Sequence, residues 1–344
     1  MEAIGDSSQY WREAELELPT CCAACEGVVL EPFHIGLMDH EEGIPGVWNM
    51  LRCKTCHSLS LSPRPTRSAV IKAYRSYYTH LSPLTENRAY EGTSLAWRLV
   101  GGYLRRRFGI KKGISLYIGS LVVWIIFPLR LQLDYLYRHL PRMPGRLLDV
   151  GCGNGAFMLR AQDAGWVVEG IEPDSVAASQ GCAHGLSIFM GDIAVFQPQE
   201  RYDVITLAHV IEHLHDPSAM LRACADLIRP GGTIWVATPN IESLGHKLFS
   251  AAWQPLEVPR HFVMPSPLAL AAMLRDAGFE DIRFVRRGRG SRKRLDASNR
   301  RASALGLPTR STLFWSTLVD LYASCSTLGA EELVVMAHRS TRSS

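Results

Sequence analysis

From Arg146 to the end of the chain, short apolar runs alternate with stretches of helical period, and this constrains the fold more than any other feature. RLLDV, VVEGIE, LSIFMG, YDVITLA, GTIWVAT, FEDIRFV and EELVVMA read as seven strands, each short and bounded by polar or glycine-containing turns. Strands that alternate with helices in this way build a doubly wound α/β sheet, which binds its ligand at the carboxyl ends of the central strands. A chain of 344 residues is longer than that sheet needs, so a smaller second unit is expected. The expected divisions are 1–66, 67–144 and 145–344.

The first of these strands runs into Gly151-Cys152-Gly153-Asn154-Gly155. Glycines at this spacing let the backbone turn tightly and approach a ligand, with a helix N-terminus behind them. With Ala156 the same residues satisfy G-x-G-x-x-[G/A], so a dinucleotide is one reading. Glu172 ends the second strand, 21 residues after Gly151 and just before Pro173; a carboxylate there accepts hydrogen bonds from two ribose hydroxyls, whichever cofactor carries them. Asp149 separates the readings. An acid just before the turn repels a pyrophosphate but holds an ammonium group, directly or through water. Gly191-Asp192-Ile193, after the third strand, offers a carboxylate to an adenine amino group, and Pro230-Gly231-Gly232 makes a sharp turn into the fifth strand.

This ordered set resembles the class I S-adenosylmethionine-dependent methyltransferases over roughly residues 145–344. The resemblance implies a doubly wound, seven-stranded Rossmann-like methyltransferase sheet and S-adenosyl-L-methionine as cofactor. It implies a binding site at Asp149, Gly151, Cys152, Gly153, Asn154, Gly155, Glu172, Pro173, Gly191, Asp192, Ile193 and His209. Cys152 has no base paired with it and reads as a small buried residue, not a nucleophile.

Methyl transfer from a sulfonium requires an in-line nucleophile and often a base to ionise it. LAHVIEHLHDP, after the fourth strand, is similar to the E-x-x-E-H region of the ubiquinone-biosynthesis O-methyltransferases, where acids and a histidine accompany a divalent metal. His209 replaces the first acid here, which counts against a catalytic metal. Glu212 and His213 read either as the capping first turn of a helix or as working groups. WQPLEVPRHFVMPSPLALAAMLRDAGFEDIRFV resembles a block of the methyltransferases of bacterial glycan and natural-product clusters. By that resemblance His261, beside Arg260, faces the methyl group as general base or orienting residue. His213 and His261 are therefore the catalytic candidates. The expected reaction is O-methylation of a saccharide or lipid-linked metabolite. A quinone or small-phenol acceptor, and a noncatalytic cofactor-binding scaffold, are the alternatives. Nucleic acid is not an expected partner, because LAHVIEH stands where amino-group methylation would use an N-P-P-Y-type motif.

Five of the nine cysteines fall within the first 56 residues. Cys22-Ala-Ala-Cys25 and Cys53-Lys-Thr-Cys56 are two C-x-x-C knuckles, which suit a closed, structural, tetrahedral Zn2+ in a small ribbon; Cys21 could stand in for Cys22. A zinc ribbon ahead of such a domain also resembles the deoxysugar C-methyltransferases, although the second C-terminal lobe of that family is missing here. The metal is expected to order a short ribbon that lacks a core of its own, and the glycine loop is expected to belong to a different core.

Between Lys112 and Arg130 lie 17 uncharged residues, Gly113 to Leu129. As a helix they would span about 25 Å, short of a hydrocarbon core of roughly 30 Å. Three readings stay open: a helix or lid buried against the protein, an interfacial segment anchored by Tyr117, Trp124 and the flanking basic residues, or a true span. A second basic run, Arg286 to Arg301, reads as a mobile loop near phosphates or headgroups, or simply as a solvated surface loop. The first residues are acidic and polar and lack the basic and apolar regions of a secretory signal. The expectation is a cytoplasmic protein, with peripheral contact to the inner face of the membrane.

Overall fold

The computed structural model describes residues 10–74, 94–111 and 116–341. After Pro65 the chain forms a short 3-10 turn, Val70–Tyr74. The stretch that follows it, and Lys112 to Ser115, lie outside the described residues.

The N-terminal part contains β1 (Leu16–Glu17), β2 (Leu30–Leu37), β3 (Trp48–Cys53), β4 (Leu59–Ser62) and β5 (Arg64–Pro65). The seven expected strands all form: β6 (Arg146–Val150), β7 (Val167–Glu172), β8 (Ser187–Met190), β9 (Tyr202–Ala208), β10 (Ile228–Pro239), β12 (Phe279–Phe284) and β13 (Glu332–Arg339). They make one sheet in the order β12-β13-β10-β9-β6-β7-β8. The five strands from β10 to β8 are parallel, while β13 runs antiparallel to β10 and β12 antiparallel to β13. The strand order reverses between β6 and β9, so the crevice at their carboxyl ends is the natural ligand site.

A two-residue strand, β11 (Val263–Met264), was not expected. It pairs antiparallel with β4, Val263 opposite Ser60 and Met264 opposite Leu59, and completes a four-stranded N-terminal sheet ordered β11-β4-β3-β2. The register is fixed locally: Ser266 caps the helix Pro267–Asp276 through Ala269 N, and its hydroxyl also donates to the Cys56 carbonyl at 2.6 Å. The knuckles therefore share their packing with the large sheet. Cys22, Cys53 and Cys56 are buried in the same apolar cluster as Leu148, Ile205 and Val236 of the large sheet. The ribbon is too small to bury its own apolar surface and borrows that of its neighbour.

The helix Leu95–Phe108 packs on the other side of the large sheet, with Val100, Phe108, Leu147 and Met158 in one cluster. Against it lies the helix Ile118–Ile125, and two glycines set how close the backbones come. A Cβ on Gly102 would sit 1.9 Å from the Leu116 carbonyl, and one on Gly119 would sit 2.0 Å from that of Leu99. The apolar segment thus buries Gly119 and Val123 and turns its opposite face outward: Tyr117, Ile118, Leu121, Trp124 and Ile125 are all exposed. The next helix, Phe127–Leu136, turns away from it by 106°, and among the described residues no single helix is long and apolar enough to cross a membrane. The helix Thr312–Cys325 likewise exposes Leu313, Phe314, Leu321 and Tyr322.

The basic run is not a mobile loop. Most of it forms the helix Arg292–Ala304, and three of its arginines turn inward. Arg287 and Arg294 pair with Glu332, while Arg301 donates to the carbonyls of Trp253, Gln254 and Met38. Sequence patterning counted their charges without seeing that buried acceptors await them.

Candidate active site

The glycine loop leaves β6 with Gly151, Gly153 and Gly155 all in the left-handed region, at φ 67°, 55° and 82°. A side chain at Gly151 would meet Val210 at 2.5 Å, whereas the space beside Gly153 is open. Glu172 closes this loop from the end of β7. Its Oε2 accepts from Gly153 N at 2.7 Å and its Oε1 from Asp174 N at 2.9 Å. Burial pushes its carboxyl above the ordinary value, against the pull of these two hydrogen bonds. Each carboxylate oxygen keeps a lone pair for a further donor.

Asp149 lies fully buried beneath the loop. Its Oδ1 accepts from the Arg138 guanidinium and from Thr206 Oγ1, while Oδ2 is buried with no hydrogen-bond partner among the described residues. Arg138 was missed in the sequence, where it stands in YLYRHLPR with no motif around it. Its guanidinium is stacked 3.8 Å from the Phe157 ring centroid and 5.5 Å from that of Trp235. Burial raises the Cys152 thiol far above its usual range, and Asp149 and Glu172 add to this, so it is no nucleophile. At the end of β8, exposed Asp192 caps a short turn by accepting from Ala194 N at 2.8 Å, beside buried Ile193. Gly191 N donates to the Glu172 carbonyl, and Pro173 is exposed.

The segment after β9 brings together groups read separately in the sequence. His209, at φ 55°, places Nδ1 3.0 Å from Glu212 Oε1 and Nε2 2.6 Å from Glu332 Oε1. Burial opposes a charge on it, but the two carboxylates prevail and raise its pKa well above 6.5. Both ring nitrogens of His209 are thus engaged by acids. Glu212, with no exposed side-chain surface, also accepts from Thr238 Oγ1 at 3.0 Å.

His213 and His261, far apart in sequence, meet edge to face with ring centroids 4.7 Å apart. The loop carrying His261 is held down by Phe262 N, which donates to the Glu212 carbonyl at 2.7 Å. His213 Nδ1 lies 3.1 Å from the Arg260 carbonyl and 2.8 Å from Tyr74 Oη, and His261 Nδ1 lies 2.8 Å from the Pro255 carbonyl. A carbonyl can only accept, so each Nδ1 carries the proton and each Nε2 keeps its lone pair. Burial is the main reason both are held near pKa 4; the His261 ring lowers His213 further, His209 and Arg260 lower His261, and Glu212 pulls both the other way. Both are neutral at ordinary pH, with Glu257 Oε2 3.5 Å from His261 Nε2. Glu212, His213 and His261 offer ligand atoms within 4.8 Å of one another. Because both Glu212 oxygens are already bonded, the group suits proton transfer better than holding a cation.

In the N-terminal sheet the sulfurs of Cys22, Cys25, Cys53 and Cys56 lie within 4.8 Å of one another. The Cys22–Cys56 and Cys25–Cys53 pairs are each separated by 3.6 Å. Cys22, not Cys21, belongs to this cluster.

A methyltransferase-domain family model matches residues 129–283. The ubiquinone biosynthesis O-methyltransferase of Bordetella avium is 32% identical over 168 residues, 44% of this chain and 68% of that protein. The protein of the same name from Neisseria meningitidis serogroup C is 31% identical over 169 residues, 44% of this chain and 70% of its own. Among solved structures, a methyltransferase of Archaeoglobus fulgidus aligns over 62% of this chain and 94% of its own, with 18% identity and a TM-score of 0.42.

Proposed function

The chain belongs to the class I S-adenosylmethionine-dependent methyltransferases, and we propose that within them it O-methylates a saccharide or lipid-linked metabolite. The cofactor supplies a methyl group on a sulfonium, which needs no acid to help it leave. Asp149 Oδ2, buried and without a partner among the described residues, fits an ammonium group; Glu172 fits two ribose hydroxyls; the open space at Gly153 lets the backbone come close. One of His213 and His261 takes the acceptor's single proton at its Nε2, and the other orients the acceptor. The observation that carries this reading is the pair of neutral imidazoles whose Nδ1 protons are fixed by carbonyls. The lipid link is supported by the exposed face of Tyr117, Leu121 and Trp124.

We also propose a structural Zn2+ on Cys22, Cys25, Cys53 and Cys56. Four thiolates at about 2.3 Å from a tetrahedral ion stand roughly 3.8 Å apart, and two of the pairs here lie at 3.6 Å.

A quinone-ring or small-phenol hydroxyl is the second reading. Histidines held near pKa 4 are weak bases, and a phenol with pKa of about 10 yields its proton to them far more readily than a saccharide hydroxyl does. The relatives' names point the same way. The deciding test incubates the full chain and methyl-labelled S-adenosylmethionine with a bacterial lipid extract and, separately, with catechol-type phenols. Label in lipid-linked saccharide supports the first reading, and label in the phenols alone supports the second. Bound cofactor with label in neither leaves only the noncatalytic scaffold.

A further inference from the structure

A cavity of about 350 Å³ lies between the N-terminal sheet and the helix Leu244–Phe249. It is within the size range of small-ligand sites, which favour such junctions. The sheet contributes Phe33, His34 and Arg52, the turn after β3 contributes His57, and the helix contributes His246 and Lys247. Arg52 and Lys247 are exposed, and neither forms an ion pair among the described residues. The Arg52 guanidinium lies over the Phe33 ring, 5.3 Å from its centroid. Both cations act on His246, which they help keep neutral after burial itself. Glu242 is the one carboxylate in the lining.

Behind the cations, His34 and His246 are buried with their Nε2 atoms 2.8 Å apart. His246 Nδ1 donates to the Ile241 carbonyl at 2.6 Å, so His246 Nε2 is the acceptor and His34 Nε2–H the donor. His34 Nδ1 then keeps a lone pair. Two cations thus face a cavity backed by two imidazoles that can accept a proton once negative charge arrives.

We propose that this cavity binds a phosphate or diphosphate group of a small molecule. The Arg52 fork engages two phosphate oxygens, Lys247 adds a point charge, and the histidine pair takes up a proton against the remaining charge. Phe33 and His57 offer rings to whatever the phosphate is attached to. The proposal does not depend on the methyl acceptor, and its test reads binding, not turnover.

The full chain, saturated with S-adenosylmethionine, is titrated by calorimetry with inorganic pyrophosphate and, separately, with farnesyl diphosphate. Saturable binding that Arg52→Ala and Lys247→Ala each weaken about tenfold or more, with cofactor affinity unchanged, is the expected result. The His34 and His246 imidazole nitrogen resonances should shift toward the protonated form in the same titration. Tighter binding of farnesyl diphosphate assigns the group to a lipid-linked ligand, and equal binding assigns it to a soluble phosphate ester. No binding of either, or binding indifferent to both substitutions, overturns the proposal.

Discussion

Arg260 and Asp39, 221 positions apart in the chain, form a two-pronged ion pair with nitrogen–oxygen distances of 2.8 and 2.9 Å and no exposed side-chain surface on either partner. Asp39 also accepts from the backbone of Glu41, Glu42 and Ile44. The pair fastens the N-terminal sheet to the loop that carries His261, so the smaller unit sets the position of a catalytic candidate in the larger one. Removing one charge strands the other in a place water does not reach. Asp39→Ala should cost about 3–5 kcal/mol in chemical denaturation. Arg260 also holds the Asp39 carboxyl below its ordinary pKa despite burial. The pair's contribution is therefore complete above the unfolded aspartate value and lost as pH falls through the depressed one.

For the cofactor, Glu172→Ala should weaken S-adenosylmethionine binding at least about tenfold, roughly 1.4 kcal/mol. The carboxylate is held by Gly153 N and Asp174 N, so the variant also loosens the loop; Glu172→Gln keeps one acceptor and should fall between. Calorimetry on the three proteins checks the order. Equal affinities would remove Glu172 from the site.

Much of this was legible in the sequence because it depends on local pattern. The strands show as apolar runs of the right length, and the glycine loop and Glu172 follow from backbone needs that leave a signature within a few residues. What the sequence concealed is long-range. Arg138 reaches Asp149 only after the chain has folded back, β11 is two residues long and exists only because β4 needs an edge partner, and Arg287, Arg294 and Arg301 turn inward to acceptors far away in sequence. A charge count cannot tell an inward arginine from a solvated one.

The cysteine cluster should hold one Zn2+ per chain by elemental analysis of protein purified under reducing conditions. Because Cys53 is buried in one cluster with Leu148 and Ile205, Cys53→Ser should lower the melting temperature of the whole chain. It should not melt a ribbon independently. Two separate transitions, with the second unchanged, would show that the cores are uncoupled.

The buried histidines predict acid sensitivity. His34, His139, His213 and His261 are held near pKa 4, each first by burial, against an unfolded value of about 6.5. Between these values the unfolded chain binds more protons than the folded one. Stability is thus complete above about pH 6.5 and falls as pH drops toward 4. The loss is up to about 3 kcal/mol for each group. Urea midpoints across this range should fall less steeply for His261→Phe than for the parent. Parallel slopes would show that His261 is not buried in its neutral form.

The last prediction concerns the outward face of the helix Ile118–Ile125. Leu121 and Trp124 are 58% and 62% exposed, so charged replacements there disturb little packing and report what the face touches. Arg130 lies over both Trp124 and Phe127, and Arg286 over Phe127 from elsewhere in the chain. Cations are thus set at the edge of the apolar surface, where headgroup phosphates would meet them. Each basic residue near an anionic surface is worth about 1 kcal/mol, and that part fades with salt; the apolar part, about 25 cal/mol per Å² buried, does not. The full chain should float with anionic liposomes, less so as salt is raised. Leu121→Glu combined with Trp124→Glu should abolish flotation while S-adenosylmethionine affinity stays the same. If the parent stays at the bottom of the gradient at low salt, the face does not meet lipid, and the lipid-linked acceptor loses its structural support.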